Sequence, residues 1–137
     1  MASNTFVNNV GLTLIKTDIV SSTIKTATDL NVFQSVGGGF IIDDIVVVTN
    51  ATGIAGGTAL VFKADGIVFF QTAISALGAS SVKDMKNASV TGTKIIVPEG
   101  AKYITVNSTV ADCTGAGVVS VALSLRKLDS NSAINLV

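Results

Sequence analysis

Histidine and tryptophan are absent from this chain of 137 residues, and cysteine and proline occur once each. Histidine is the usual general base at neutral pH and the commonest metal ligand, so its absence argues against most hydrolase and metalloenzyme designs. An enzyme would have to rely on Asp, Glu, Lys, Ser or Cys113 alone. We therefore predict a protein that is not an enzyme and that uses no cofactor and no metal ion.

Charge is also scarce, because only 13% of the residues are charged and nine acidic residues balance nine basic ones. No stretch collects the basic residues into a patch of the kind that binds nucleic acid or anionic lipid. The longest apolar runs, such as residues 45–48 and 67–70, are far shorter than the roughly 20 residues of a membrane-spanning helix. We predict neither a nucleic-acid partner nor a membrane span.

The single cysteine, Cys113, excludes an intramolecular disulfide and fits assembly in a reducing cytoplasm. The first residues also lack the basic and apolar regions of a secretory signal, which supports the same compartment. Two interpretations of Cys113 stay open: a small half-buried residue beside a turn, or a reactive thiol. No His or Arg lies near it in sequence, which favours the first.

What the chain does have is hydrophobicity that alternates with period two. In residues 117–126, Val119, Val121, Leu123 and Leu125 point one way and small side chains point the other way, as in a half-buried strand. The same signals predict further strands at 10–16, 18–25, 30–36, 40–49, 58–64, 67–72, 94–97 and 102–107. One short helix is expected at 81–87, where Ser81 resembles an N-cap with Asp84 three residues later. We predict an all-β, antiparallel, jelly-roll-like sandwich of about eight strands in one domain, with possible arms at 1–9 and 129–137.

Asp65-Gly66 is the sharpest turn signal, because a two-residue Asp-Gly connection suits the positive φ angles of a type I′ hairpin. The register that follows places Ala64 opposite Ile67 and Phe62 opposite Phe69. Glycines at 37–39 and in 53–57 do not lead into a helix and match no phosphate-binding motif, so we expect turns, bulges or close packing there.

The strand at 40–49 is apolar on both faces if it alternates regularly, with Phe40, Ile42, Val46 and Val48 in one row. A strand that is apolar on both faces requires a covering layer on each side, and another subunit could supply the second layer. Asp43 and Asp44 interrupt it, so at least one carboxylate should enter an apolar row. Either a salt bridge, between subunits or on the surface, or a bound ion would explain them.

From these two-sided strands we predict a homo-oligomer, with a trimer favoured. Nine residues are the candidates for its interface: Phe40, Ile42, Asp43, Asp44, Val46, Val48, Val61, Val68 and Phe70.

Three segments of the chain carry a family resemblance: residues 31–50, NVFQSVGGGFIIDDIVVVTN; residues 95–104, IIVPEGAKYI; and residues 117–125, GVVSVALSL. Their succession of a short strand, glycines, a long apolar strand and two closing strands resembles that of small virion proteins of tailed bacteriophages. The resemblance implies a β-sandwich that decorates or cements a capsid, or serves as an auxiliary head protein, commonly as a trimer.

That family would place the protein in the virion, assembled in the host cytoplasm, with the major capsid protein or another virion protein as its partner. The alternative is a fibre or adhesin module that binds a host-surface glycan through loops rich in Asn, Ser and Thr. Such a module should show a shallow polar groove with an exposed aromatic side chain, for which only Tyr103 and a few Phe residues are available.

Overall fold

The computed structural model describes residues 11–86, 90–128 and 131–137. Within these residues the chain forms eleven β-strands and two single-turn 3₁₀ segments, Ser21–Thr23 and Ile74–Ala76. The strands are β1 Gly11–Val20, β2 Leu30–Val36, β3 Phe40–Thr49, β4 Ala59–Ala64, β5 Ile67–Ala73, β6 Val82–Asp84, β7 Val90–Gly92, β8 Ile95–Val97, β9 Lys102–Ser108, β10 Val118–Lys127 and β11 Ala133–Leu136.

The strands pair as a nested ribbon. β4 pairs with β5, β3 with β8, β2 with β9 and β1 with β10, all antiparallel. The further pairs β3 with β10 and β4 with β9 then close this ribbon into two sheets. Eight strands nested in this way form a jelly roll, which confirms the predicted fold class.

The first sheet has the order β1-β10-β3, and β6 and β8 share the free edge of β3. The second sheet has the order β11-β2-β9-β4-β5-β7. β6, β7 and β11 are additions to the eight-strand roll and extend its edges. Among the described residues, no helix has the length and hydropathy needed to cross a membrane.

The core lies between the two sheets. The predicted inward row of β10 is confirmed, since Val119, Val121, Leu123 and Leu125 are at most 1% exposed. From the second sheet, Phe62 and Phe70 meet edge to face with ring centroids 5.8 Å apart, a preferred geometry for aromatic pairs. The largest buried side chains are thus aromatic in the second sheet and mostly aliphatic in the first.

A β-bulge at Asp43 changes which residues of β3 face the core. β10 pairs Leu125 with Ile42 and Ser124 with Asp44, so Asp43 is the extra residue. The predicted row of Phe40, Ile42, Val46 and Val48 is therefore wrong beyond the bulge. Ile45 and Val47 join Phe40 and Ile42 in the core, while Val46 and Val48 face outward.

The hairpin between β4 and β5 has the predicted type I′ turn, with φ of 51° at Asp65 and 80° at Gly66. Ala64 pairs with Ile67 as expected, but Phe62 pairs with Phe70 and not with Phe69. A second bulge causes this shift of one residue.

The predicted helix at 81–87 is wrong. Residues 82–84 form β6 on the edge of β3, where Val82 pairs with Val48, and Asn87 lies outside the described residues. The Ser81 hydroxyl donates to the Gly78 carbonyl and Asp84 accepts from the Lys86 amide, so both side chains stabilise turns. A local capping pattern is overruled here by the hydrogen bonds that the free edge of β3 offers.

The second predicted arm, residues 129–137, is corrected in the same way: residues 133–136 form β11 and pair with β2. Residues 1–9, the first predicted arm, lie outside the described residues. In the two glycine-rich segments, this chain's own backbone lies close to Gly37, Gly39, Gly53, Gly56 and Gly57. At Gly117 an added Cβ would collide with the Gly53 carbonyl oxygen, so only glycine fits.

Candidate functional site

The nine predicted interface residues occupy different environments. Phe40, Ile42 and Phe70 are at most 1% exposed in this chain's own core, so their side chains are not available to a neighbour. Val61 alternates with the core residues of β4 and is 4% exposed on the outer side of the second sheet. The other five are accessible: Asp43, Asp44, Val46, Val48 and Val68.

The outer side of the first sheet is unusually aliphatic. Six side chains, which we call the apolar face, define it: Ile15, Ile41, Val46, Val48, Val82 and Ile96. Of these, Ile15 and Val82 are each 56% exposed and Ile96 is 62% exposed. The solvent side of an antiparallel sheet is normally polar, so a group of exposed aliphatic side chains on that side is a candidate binding surface.

Strand pairing brings these six residues together from four strands, β1, β3, β6 and β8. Ile41 lies opposite Ile96, and Val48 lies opposite Val82. Ala122 of β10 separates Ile15 from Val46. Because β10 contributes small side chains to this side of the sheet, a partner could approach the centre of the apolar face closely.

Asp43 lies on β3 between Ile41 and Val46, so its ion-pair cluster divides this face into two parts. The Arg126 Nε and Nη2 atoms donate to its two carboxylate oxygens at 2.7 and 3.0 Å, and Lys94 Nζ is 3.5 Å away. Hydrogen bonding to Arg126 holds the pKa of the Asp43 carboxyl below its ordinary value, with Lys94 adding to the effect. The surface salt bridge that the sequence suggested therefore forms within the chain.

Asp44 is engaged by the backbone. Its Oδ1 accepts from the amides of Ile45 at 2.8 Å and Met85 at 3.2 Å, so it fastens the turn after β6 to the bulge. Neither carboxylate enters the core, because the bulge turns both away from the inner row. The described residues contain no group of three or more metal-ligating side chains, and the ion-binding alternative gains no support.

The outer side of the second sheet is polar and carries a shallow groove of about 310 Å³, which we call the Tyr103 groove. Its lining comes from the ends of β2 and β9, the loop before β2 and the hairpin turn: Asp29, Asn31, Asp65, Gly66, Ala101, Lys102, Tyr103 and Thr105. Tyr103 is 40% exposed. The amide of Asp65 donates to the Tyr103 carbonyl at 3.0 Å, which fixes the turn against β9.

Two ion pairs border the Tyr103 groove. Lys63 Nζ lies 3.4 Å from Asp29 Oδ1, and Lys102 Nζ lies 3.5 Å from Asp65 Oδ2. Thr105 is only 7% exposed, and its hydroxyl has no hydrogen-bond partner in the part of the chain that the structure describes. The groove therefore combines an aromatic ring with balanced charges.

Cys113 is buried, with 2% of its surface exposed. Burial raises the pKa of its thiol above the ordinary value, so little thiolate forms near neutral pH. This environment agrees with the structural interpretation and not with a reactive thiol.

Sequence reasoning missed four residues of the apolar face, Ile15, Ile41, Val82 and Ile96, and also the acidic residues of the Tyr103 groove. Both surfaces are assembled by strands that are distant in the chain, so period-two alternation marks the outward residues but not their neighbours. No protein-family model and no curated protein sequence matches this chain. The resemblance to virion proteins therefore stays a prediction.

Proposed function

We propose that this protein is a non-enzymatic structural subunit of a virion, a capsid decoration, cement or auxiliary head protein that assembles through its apolar face. The observation that carries the proposal is the apolar face itself, on the outer side of a jelly-roll sheet. Jelly rolls recur in viral capsid proteins, and the sequence resemblance suggests the same use. In this proposal the virion is its location and the major capsid protein or another virion protein its further partner.

The apolar face supports self-association more than it supports a transient contact. Burying one fully exposed Val or Ile contributes about 1.5–3 kcal/mol. The four most exposed side chains of the face are 39–62% exposed, so together they contribute several kcal/mol on each subunit, and Ile41 and Val46 add less. Association itself costs roughly 4–15 kcal/mol. Each subunit of a symmetric oligomer contributes its own surface, so the trimer that the resemblance implies gains the free energy of apolar burial more than once.

Lysine substitution on the apolar face tests the self-association. Ile96→Lys places a charge at a side chain that is 62% exposed, and Ile67→Lys makes the identical change at one that is 60% exposed on the second sheet. Light scattering at micromolar concentration should report a trimer for the natural chain and for Ile67→Lys, and a smaller species for Ile96→Lys. A monomeric natural chain, or equal effects of both variants, would contradict the proposal.

The virion assignment has its own test. Particles from the source cells, separated on a density gradient, should contain this chain at a constant ratio to the major capsid protein. Recovery only from the unassembled fraction would refute it.

A glycan-binding fibre or adhesin module is the second candidate function. The Tyr103 groove favours it, since a shallow polar groove with an exposed aromatic side chain is what that alternative requires.

A further inference from the structure

We propose that the Tyr103 groove is a carbohydrate site that holds one uncharged sugar residue of a glycan. The groove lies on the second sheet and does not involve the apolar face, so this inference does not depend on how the protein assembles.

The aromatic ring is the first feature that supports a sugar. Tyr103 is the one Tyr of the chain, and it is 40% exposed, whereas the five Phe residues in the described part of the chain are all at most 2% exposed. An exposed ring with a polar tip offers an apolar surface to the C–H groups of a sugar and a hydroxyl to its rim. Tyr103 is thus exposed where the other aromatic side chains serve the core.

The charges around the ring favour a ligand that is rich in hydroxyl groups and carries no net charge. Each carboxylate uses one oxygen toward a lysine, at 3.4 Å for Asp29 and 3.5 Å for Asp65. The second oxygen of each can accept hydrogen bonds from a sugar hydroxyl. Since two lysines balance two aspartates, neither a cation nor an anion gains from the groove as a whole.

Thr105 and Asn31 line one wall of the groove. Thr105 is more than nine-tenths buried, and its hydroxyl oxygen has less than 1 Å² of accessible surface, so a sugar in the groove does not contact that hydroxyl. Asn31 lies opposite Thr105 on β2 and adds an amide to the same wall.

The volume sets the size of the ligand. About 310 Å³ of open space is at the lower end of the range for small-molecule sites. A single sugar ring fits such a groove, and the remaining sugars of a glycan would extend into solvent. Weak binding to one ring of each glycan is therefore expected for a single chain.

Saturation-transfer NMR with the methyl glycosides of glucose, galactose and mannose tests the site on the whole chain. At least one of these should receive magnetisation, and Tyr103→Ala should weaken its binding about tenfold, whereas Tyr103→Phe, which keeps the ring, should change it less than about threefold. Asp29→Asn and Asp65→Asn should each weaken binding. Asp84→Asn, outside the groove, is the matched control and should not.

The aspartate variants keep the proposal testable if Tyr103→Ala fails to fold. Transfer to none of the three glycosides, or equal transfer in Asp29→Asn and Asp84→Asn, overturns the site. Binding only of the methyl glycoside of N-acetylneuraminic acid, which carries a carboxylate, would overturn the assignment to uncharged sugars.

Discussion

Gly66 allows the conformational cost of the β4–β5 turn to be measured in isolation. Its φ is 80°, and an added Cβ would meet no atom within 4 Å. Alanine at this position therefore introduces backbone strain without any collision. A non-glycine residue in this left-handed region costs about 1–2 kcal/mol, and the loss of glycine flexibility in the unfolded chain returns about 0.4–1 kcal/mol.

The matched control is Gly78→Ala. Gly78 is also exposed, an added Cβ there has equally open space, and its φ lies outside the left-handed region. Gly78→Ala should therefore stabilise the protein by about 0.4–1 kcal/mol, whereas Gly66→Ala should destabilise it by a similar amount. The unfolded-state contribution cancels in the comparison, which leaves a difference of about 1–2 kcal/mol in the free energy of unfolding.

Thermal unfolding followed by circular dichroism measures this difference. At about 2.1 cal/mol/K per residue, the melting temperatures of the two variants should differ by roughly 4–7 °C. Equal melting temperatures would refute the type I′ turn, because they would mean that alanine adopts the native backbone at both positions equally well.

Two further predictions concern charge and strain. The low pKa of Asp43 implies that its pairing with Arg126 stabilises the fold fully above about pH 5, and that this stabilisation is lost as the pH falls through the folded-state pKa. Between pH 7 and pH 3, the free energy of unfolding in urea should therefore fall less for Asp43→Asn than for the natural chain. An equal fall in both proteins would count against the pair. Val110 is a β-branched residue with φ of 71°, and it is 86% exposed. Val110→Gly should therefore raise the free energy of unfolding by roughly 0.5–1 kcal/mol. A lower free energy of unfolding for this variant in urea would contradict the strain argument.

The sequence predicts most of the long strands because alternation and turn chemistry are local signals, but the two strands predicted at 10–16 and 18–25 are wrong: they form one strand, β1, which ends at Val20. β2 and β3 have the predicted bounds, and the Asp65-Gly66 turn has the predicted type. The bulge at Asp43 was not predictable in this way, because it is specified by pairing with β10, which lies far along the chain. One extra residue there moved Ile45 and Val47 from the predicted outer row into the core.

The candidate surfaces also contain residues that the sequence could indicate and residues that it could not. From the sequence, Tyr103 is one of the few aromatic residues available for a binding site, and Val46 and Val48 are interface candidates, because each can be judged from its own strand. The partners that turn these residues into surfaces, such as Ile96 beside Ile41 or Asp29 beside Lys63, depend on which strands become neighbours. Short edge strands such as β6 depend on it most, since three residues carry too little pattern.

The nested pairing also bears on how the chain reaches this structure. The innermost pair, β4 with β5, closes over two residues, whereas the outermost pair joins Gly11 to Arg126. Each inner pair that forms shortens the loop that the next pair must close, and the entropy of closure grows with loop length. Folding from the central hairpin outward is therefore the least costly order. The nested pairing also gives the fold a high contact order, so we expect slow folding. The edges of the outer strands would stay unpaired until the last step.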